Sequence, residues 1–367
     1  MRTDLPTAAD VDAAAARLAG VVAHTPVQLN VRLSAMVGAE VWLKREDLQP
    51  VRSYKLRGAY NLIAQLSPQE RARGVICASA GNHGQGVAFA CHRLGINGHI
   101  FVPTTTPRQK RDRMAALGGD LVTVVVTGDT YDEAQAAAAQ EAAANQAVVV
   151  PAFDAAPTIA GQGTVAAEIV ADLRQAPEVV VVPVGGGGLL SGVATWFAEH
   201  YPATRVVGVE PAGAACTVAA LQRGEPVTLD RLDSFVDGAA VRRVGDLTFQ
   251  VIQSRGLEVT TVAEGAVCTE MLALYQTDGI IAEPAGALAS AALADGLAVE
   301  RGQTVVAIVS GGNNDVSRYS EIVERSLVHE GHKHYFLVNF PQEPGALRRF
   351  LDEVLGPDDD ITLFEYV

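Results

Sequence analysis

The run Val179-Val180-Val181-Val182-Pro183-Val184, followed at once by Gly185-Gly186-Gly187-Gly188, constrains the fold more than any other stretch of this chain. A β-branched run without polar alternation suits a strand buried on both faces, the environment of a parallel sheet between layers of helix. The pattern recurs along the sequence. Apolar runs at 75–78, 99–102, 121–126 and 179–184 precede helices expected at 84–94, 108–117, 131–145 and 189–200. Alternation at this spacing predicts an α/β fold, parallel-rich sheets covered by helices on both faces. A length of 367 residues allows two or three lobes, each with its own core.

Beyond residue 327 the character changes. The polar connector Val328-His329-Glu330-Gly331-His332-Lys333-His334 leads to a strand expected at 335–340. A helix is expected at 344–355, with Pro344 at its start, and a second strand at 361–367. A β-α-β unit of this size cannot bury both its faces alone, so the chain is expected to stop inside a second domain.

Composition narrows the partners. Acidic residues outnumber basic ones, 42 to 28, for a formal charge of −14. No basic run offsets them, and nucleic acid is not an expected partner. No apolar stretch approaches the length of a membrane span, and Met1-Arg2-Thr3-Asp4-Leu5-Pro6 lacks an apolar signal core. A cytoplasmic protein without membrane association is expected. Cys77, Cys91, Cys216 and Cys268 have no paired spacing, which fits reduced thiols better than a disulfide or zinc framework. An anionic ligand is still possible, because backbone amides hold phosphate without net positive charge.

Four segments could carry chemistry. Gly185 to Gly188 lie between a strand and a helix that begins near Leu189, where amide N–H groups converge at the positive end of the helix dipole. By itself the cluster is equally a tight strand-to-helix turn. It lacks the Lys-Ser/Thr of a P-loop and the spacing of a dinucleotide site. Ser79-Ala80-Gly81-Asn82-His83-Gly84 repeats the device: its amides could hold a carboxylate while Asn82 bonds a cofactor hydroxyl, or Ser79 or Asn82 could simply cap the next helix. His83 reads as a loop brace rather than a general base. Ser310-Gly311-Gly312-Asn313-Asn314 follows an apolar run at 304–309, placing a hydroxyl at a strand's C-terminal end. Glu283, in Glu283-Pro284-Ala285-Gly286-Ala287, either lines a site or serves a helix N-terminus. The fourth segment is Ser53-Tyr54-Lys55-Leu56-Arg57-Gly58-Ala59. One lysine able to form a Schiff base, one phosphate cradle and two polar loops are the components of a pyridoxal-phosphate (PLP) enzyme. His329, His332 and His334 lack cysteine or carboxylate partners at metal-binding spacing and read as a solvated hinge.

Together these segments resemble the fold-type II PLP enzymes, and among them the threonine dehydratases, over roughly residues 25 to 367. The resemblance implies two lobes in a catalytic domain at 1–327, with the smaller lobe at about 50–155, and a partial ACT-like βαβ unit at 328–367. It assigns the Schiff base and the general base to Lys55. Asn82 would face the cofactor's ring oxygen, and Ser79, Ala80 and Gly81, with Asn82, the substrate carboxylate. Gly185, Gly186, Gly187, Gly188 and Leu189 would hold the phosphate, and Ser310 would meet the pyridine nitrogen. Pro103 to Lys110 and Ile159 to Thr164 also resemble family segments.

The reaction this implies is conversion of L-threonine to 2-oxobutanoate and ammonia, with L-serine as a secondary substrate, in isoleucine biosynthesis. A dimer or tetramer is the assembly the family implies. Some serine-racemizing relatives bind a divalent cation with two acids flanking a backbone carbonyl. Here Glu210 is present but Cys216 stands near the second acid's position, so no metal site is expected. A serine dehydratase or racemase using the same loops is the alternative within the family. A non-catalytic amino-acid sensor and a PLP-free nucleotide-binding protein are the alternatives outside it.

Overall fold

The computed structural model describes residues 5–341 and 343–365. Its strands are β1 (Val27–Leu29), β2 (Glu40–Arg45), β3 (Val75–Ala78), β4 (Gly98–Val102), β5 (Val122–Val126), β6 (Val148–Val149), β7 (Val179–Pro183), β8 (Arg205–Pro211), β9 (Glu258–Val262) and β10 (Thr304–Val309). They form two sheets. The larger has the order β1-β2-β10-β7-β8-β9 and is parallel except for β1, which runs antiparallel to β2. The smaller, β5-β4-β3-β6, is parallel throughout.

The β-branched runs behave as their composition requires. Residues Val179 to Val182 and Val305 to Val309 are buried completely or nearly so, in the centre of the larger sheet. Alternate residues feed two cores: Val179, Val181, Val305 and Ala307 face one layer, and Val180, Val182, Val306 and Ile308 the other. The expected helices form as Asn82–Leu94, Arg108–Gly118, Tyr131–Asn145 and Gly188–His200.

Helix Ala156–Leu173 joins these layers to the helix that begins at Lys55. It approaches two neighbours at backbone distance. A Cβ added at Gly161 would lie 2.5 Å from the Arg57 carbonyl, and one at Gly192 would lie 2.3 Å from the Ile159 carbonyl. Only glycine permits either approach. Charge fixes the same junction. Arg57, without solvent exposure, donates to Glu46 through Nε and Nη2, each at 2.8 Å, and to Glu168 through Nη1 at 2.7 Å and Nη2 at 2.8 Å. Buried Lys44 lies 2.6 Å from the same Glu168 and also donates to the Thr25 carbonyl. Two cations thus face two anions. Burial pushes the Glu46 carboxyl up, but the Arg57 guanidinium, joined by Lys44 and the Thr25 hydroxyl, holds it below its ordinary range.

The C-terminal segment departs from the sequence reading. Helix Ala346–Glu353 forms, entered through Gly345 at φ 86° rather than through Pro344. The strands expected on either side of it, at 335–340 and 361–367, are absent among the described residues; 366 and 367 lie outside them. A strand requires a ladder partner for its backbone groups, and neither run has one. Phe336 and Leu337 are instead largely exposed, at 80% and 100%. Helix Tyr319–His329 also runs through Leu327 and Val328, shortening the connector.

Replacing Arg57 with methionine strands the buried Glu46 carboxylate and leaves part-buried Glu168 with Lys44 as its one cation among the described residues. We expect a loss of about 3–5 kcal/mol in unfolding free energy, measured by urea denaturation, whereas a loss under about 1 kcal/mol would show that the cluster is not the anchor.

Candidate active site

Loops at the C-terminal ends of β3, β7 and β10 converge on the N-terminus of helix Lys55–Ala64, the edge where open α/β sheets bind ligands. Backbone pairing brings them together. Ser53 bridges Gly311, the Tyr54 N–H donates to the Ser310 carbonyl at 3.1 Å, and the Gly312 N–H donates to the Arg52 carbonyl at 2.9 Å. Lys55, first residue of its helix, is thereby held next to the loop after β10. Its Nζ donates to the Ala152 carbonyl at 3.1 Å and lies 5.3 Å from the centre of the Tyr54 ring. Burial pulls the Lys55 pKa down to about 8, against the opposing pull of Glu283. An amine with such a pKa is available in its neutral, nucleophilic form near neutral pH.

The glycine loop lies on the other side of the same carbonyl. Gln162 Nε2 also donates to the Ala152 carbonyl, at 3.3 Å, while buried Gln162 Oε1 has no partner. A Cβ at Gly188 would lie 2.6 Å from that Oε1, and one at Gly186 would lie 2.3 Å from the Phe153 ring. Gly187 has φ 87°, and the Thr248 hydroxyl donates to the Gly186 carbonyl at 2.7 Å. The amides of Gly186, Gly187, Gly188 and Leu189 find no acceptor among the described residues, and they gather where helix Gly188–His200 begins. This is an anion cradle with no room for side chains.

In the loop after β3, neither Ser79 nor Asn82 caps the helix. Gly81 occupies the N-cap without a side-chain bond, and Ser79 Oγ accepts from the Gly81 N–H at 3.3 Å. Asn82 lies inside the helix as its first residue, its amide drawn to a carboxylate: Nδ2 donates to Glu283 Oε1 at 2.6 Å. Glu283 in turn stands at the N-cap of helix Pro284–Ala294 but makes no capping bond. Its pKa is pushed up to about 7 by burial and then by the Asp237 carboxylate, with Asn82 pulling the other way. Asn82 Oδ1 accepts from Asn313 Nδ2 at 2.7 Å, and that same nitrogen donates to the Val51 carbonyl at 2.8 Å. Ser310, buried, donates to the Ala285 carbonyl at 3.1 Å. His83 is buried with Nε2 2.8 Å from the Val150 carbonyl. Burial, with Lys55 adding to it, pushes its pKa down to about 4, leaving a neutral ring that braces the loop.

A cleft of about 750 Å³ opens beside this assembly, lined in part by Ala80, Thr106, Lys110, Tyr131, Asp237 and Asn313. Lys110 reaches across it to Asp237 at 2.8 Å. In the same loop as Asp237, the Phe235 ring meets the guanidinium groups of Arg318, at 4.7 Å, and Arg325, at 4.2 Å. Glu210 spends its carboxylate on the amides of Thr217 and Val218, at 2.8 and 3.0 Å.

The structure brings Lys55, Asn82, Ser310 and the Gly185–Gly188 turn to one place, and Ser79 to Gly81 to its rim. Sequence reasoning missed Ala152 and Phe153, which carry no local signal. It left Glu283 open between lining a site and serving a helix N-terminus; the fold places it at a helix head and gives its carboxylate to Asn82.

Comparison with known proteins identifies the family. The family described as pyridoxal-phosphate dependent enzyme matches residues 18–311, and the C-terminal regulatory domain of threonine dehydratase matches residues 324–367. The chain is 62% identical over 361 residues to the L-threonine dehydratase biosynthetic IlvA of Mycobacterium tuberculosis, covering 98% of this chain and 84% of that one. The corresponding protein of Corynebacterium glutamicum is 57% identical over 369 residues, 99% of this chain and 84% of its own. Among solved structures, the processed form of threonine deaminase isoform 2 from Solanum lycopersicum superposes with a TM-score of 0.82 at 38% identity, covering 89% of this chain and 98% of that one. Maize serine racemase gives 0.81 at 29% identity, covering 90% and 100%. The residues fit the cofactor these matches share: acceptor-free amides in a cradle that a Cβ would fill, beside an unpartnered Gln162 oxygen and a lysine amine poised to lose its proton. The chain belongs to the pyridoxal-phosphate-dependent L-threonine dehydratases of the biosynthetic type.

Proposed function

We propose that the site formed by Lys55, Asn82, Ser310 and the Gly185–Leu189 turn deaminates L-threonine to 2-oxobutanoate and ammonia, the reaction that opens isoleucine biosynthesis. The observation that carries this reading is the buried Lys55 amine, its pKa lowered to about 8, bonded to the Ala152 carbonyl that Gln162 shares beside the acceptor-free amides of the glycine turn. Pyridoxal phosphate, when bound, supplies an electron-withdrawing ring that lets the substrate's α-proton leave.

The amides of Gly186 to Leu189 would hold the phosphate and Asn82 the ring oxygen. Ser310 would face the ring nitrogen with a neutral hydroxyl, which cannot hold a proton there as a carboxylate would. Lys55 would attach the cofactor and, once displaced by the substrate amine, accept the α-proton as a general base. Ser79, Ala80 and Gly81 would fix the substrate carboxylate through backbone amides and the Ser79 hydroxyl, orienting the α-carbon toward Lys55. Loss of the β-hydroxyl as water, then hydrolytic release of ammonia, balances threonine against 2-oxobutanoate. L-serine, one methyl smaller, is the secondary substrate on this reading. We assign residues 1–327 to the catalytic unit, with a smaller lobe at about 50–155, and 328–367 to the regulatory segment of a cytoplasmic, self-associating enzyme.

The holoenzyme is expected to be yellow, and its visible band should change on adding L-threonine while 2-oxobutanoate accumulates. A colourless protein after incubation with PLP would overturn the assignment, and a band responding only to L-serine would move its specificity. Lys55→Ala should lower turnover at least about a thousandfold, and a variant retaining parental rate would remove Lys55 from the chemistry. Ser310→Asp should shift the product ratio from elimination toward transamination; an unchanged ratio would show that Ser310 does not set the electron demand of the ring.

A further inference from the structure

The chain Val51–Asn313–Asn82–Glu283 has a fixed direction. At one end is a backbone carbonyl, which can only accept; at the other is the Glu283 carboxyl, which accepts from Asn82 through Oε1 and is an acceptor alone once ionised, above its pKa of about 7. Asn313 Nδ2 spends both hydrogens, on the Val51 carbonyl at 2.8 Å and on Asn82 Oδ1 at 2.7 Å. The Asn82 oxygen is therefore occupied, and its nitrogen must turn to Glu283 Oε1, 2.6 Å away. One N–H of Asn82 remains without a partner among the described residues. An asparagine alone could present either its oxygen or its nitrogen to a ligand. Here the two flanking groups fix which end of the amide faces which way, and the free hydrogen lies on the nitrogen.

Glu283 is held as firmly as the amide it orients. It is 4% exposed, its N–H donates to the Gly311 carbonyl at 3.1 Å, and its Oε1 fills the space where a Cβ on Gly311 would lie, at 2.1 Å. Its place at the head of helix Pro284–Ala294 would ordinarily serve capping, yet it caps nothing. Keeping a buried carboxylate without a cation directly bonded to it is costly, and it is hydrogen-bonded by the Asn82 side chain and by the Asn313 backbone N–H.

We propose that Glu283 is a positioning residue: with Asn313, it fixes the polarity of the Asn82 amide, so that the site offers the cofactor's ring oxygen an obligatory hydrogen-bond donor and favours its deprotonated form. This rests on the reading that Asn82 faces that oxygen. Glu283→Gln keeps the volume but gives a group that can turn either end toward Asn82. Glu283 thus acts through Asn82 and not on the cofactor directly, and a double-mutant cycle separates the two.

The test uses holoenzymes of the parent, Glu283→Gln, Asn82→Ala and the double variant, followed by visible absorption across pH 6–9 and by the rate of PLP loss on dilution. Glu283→Gln is expected to release PLP about tenfold faster than the parent and to shift the pH-dependent absorption, as loss of a charge-assisted bond should. In the Asn82→Ala background the same substitution should change neither quantity. An effect of equal size with and without Asn82, or no effect in either background, overturns the proposal. Should Glu283→Gln fail to fold, Asn313→Ala tests the other end of the chain and should hasten PLP loss in the same direction, again only when Asn82 is present; PLP loss at the parental rate would refute it. If the parent itself shows no visible band, the cofactor assignment has failed rather than this inference.

Discussion

Two residues beyond Lys55, the Arg57 guanidinium lies between Glu46 and Glu168 with no access to water, and it anchors the helix that the lysine opens. Removing a guanidinium and two carboxylates from solvent costs several kcal/mol per ion, repaid only when every donor meets an acceptor. Here it does: Arg57 also donates to the Thr164 hydroxyl at 3.0 Å, and Glu46 accepts from Thr25 at 2.5 Å. The cluster draws on β2, the turn after it, helix Lys55–Ala64 and helix Ala156–Leu173. A slip of any one would leave a charge unpaired in the interior. Directional ion pairing thus sets the register of the first helical turn, where apolar packing alone would tolerate a shift.

The electrostatics of the site follow from backbone more than from side chains. The chain carries a net charge of −14, yet it presents an anion cradle, because the acceptor-free amides after β7 provide local positive potential regardless of the surface. Close by, burial opposes charge on Lys55, His83 and Glu283 alike. A dry pocket that disfavours charge on every titratable group keeps the lysine amine reactive and leaves the histidine neutral.

Much of this was legible in the sequence where the signal was local. The valine run and its four glycines predict a buried parallel strand feeding a helix N-terminus, and β7 and helix Gly188–His200 follow within a residue of that reading. Asn82, Ser310 and Lys55 could be picked out because each sits where a short loop meets a strand or a helix. Glu283 could not be weighed so easily. Its partner Asn82 is 201 residues away, and at a helix head a local argument favours capping. Phe153 and Ala152 occupy an unremarkable stretch, and only packing against Gly186 and Lys55 gives them a role. The tail strands failed for the opposite reason: alternating or apolar residues suggest a strand, but pairing is a tertiary property and the described residues offer no ladder.

Helix Tyr319–His329 belongs to both halves of the protein at once. The catalytic family match ends at residue 311 and the regulatory match begins at 324, inside this helix, whose preceding turn and body supply Arg318 and Arg325 to the Phe235 ring. The modular boundary drawn by family resemblance is therefore not a mechanical one. A chain severed at 324 would lose Arg325, its contact with the Phe235 ring and its bond to Asp233. That loop also carries Asp237 to the Lys110 contact at the cleft. Excising the regulatory segment would thus be felt at the mouth of the active site, and the two modules are inseparable as hardware even where they are separable as sequence.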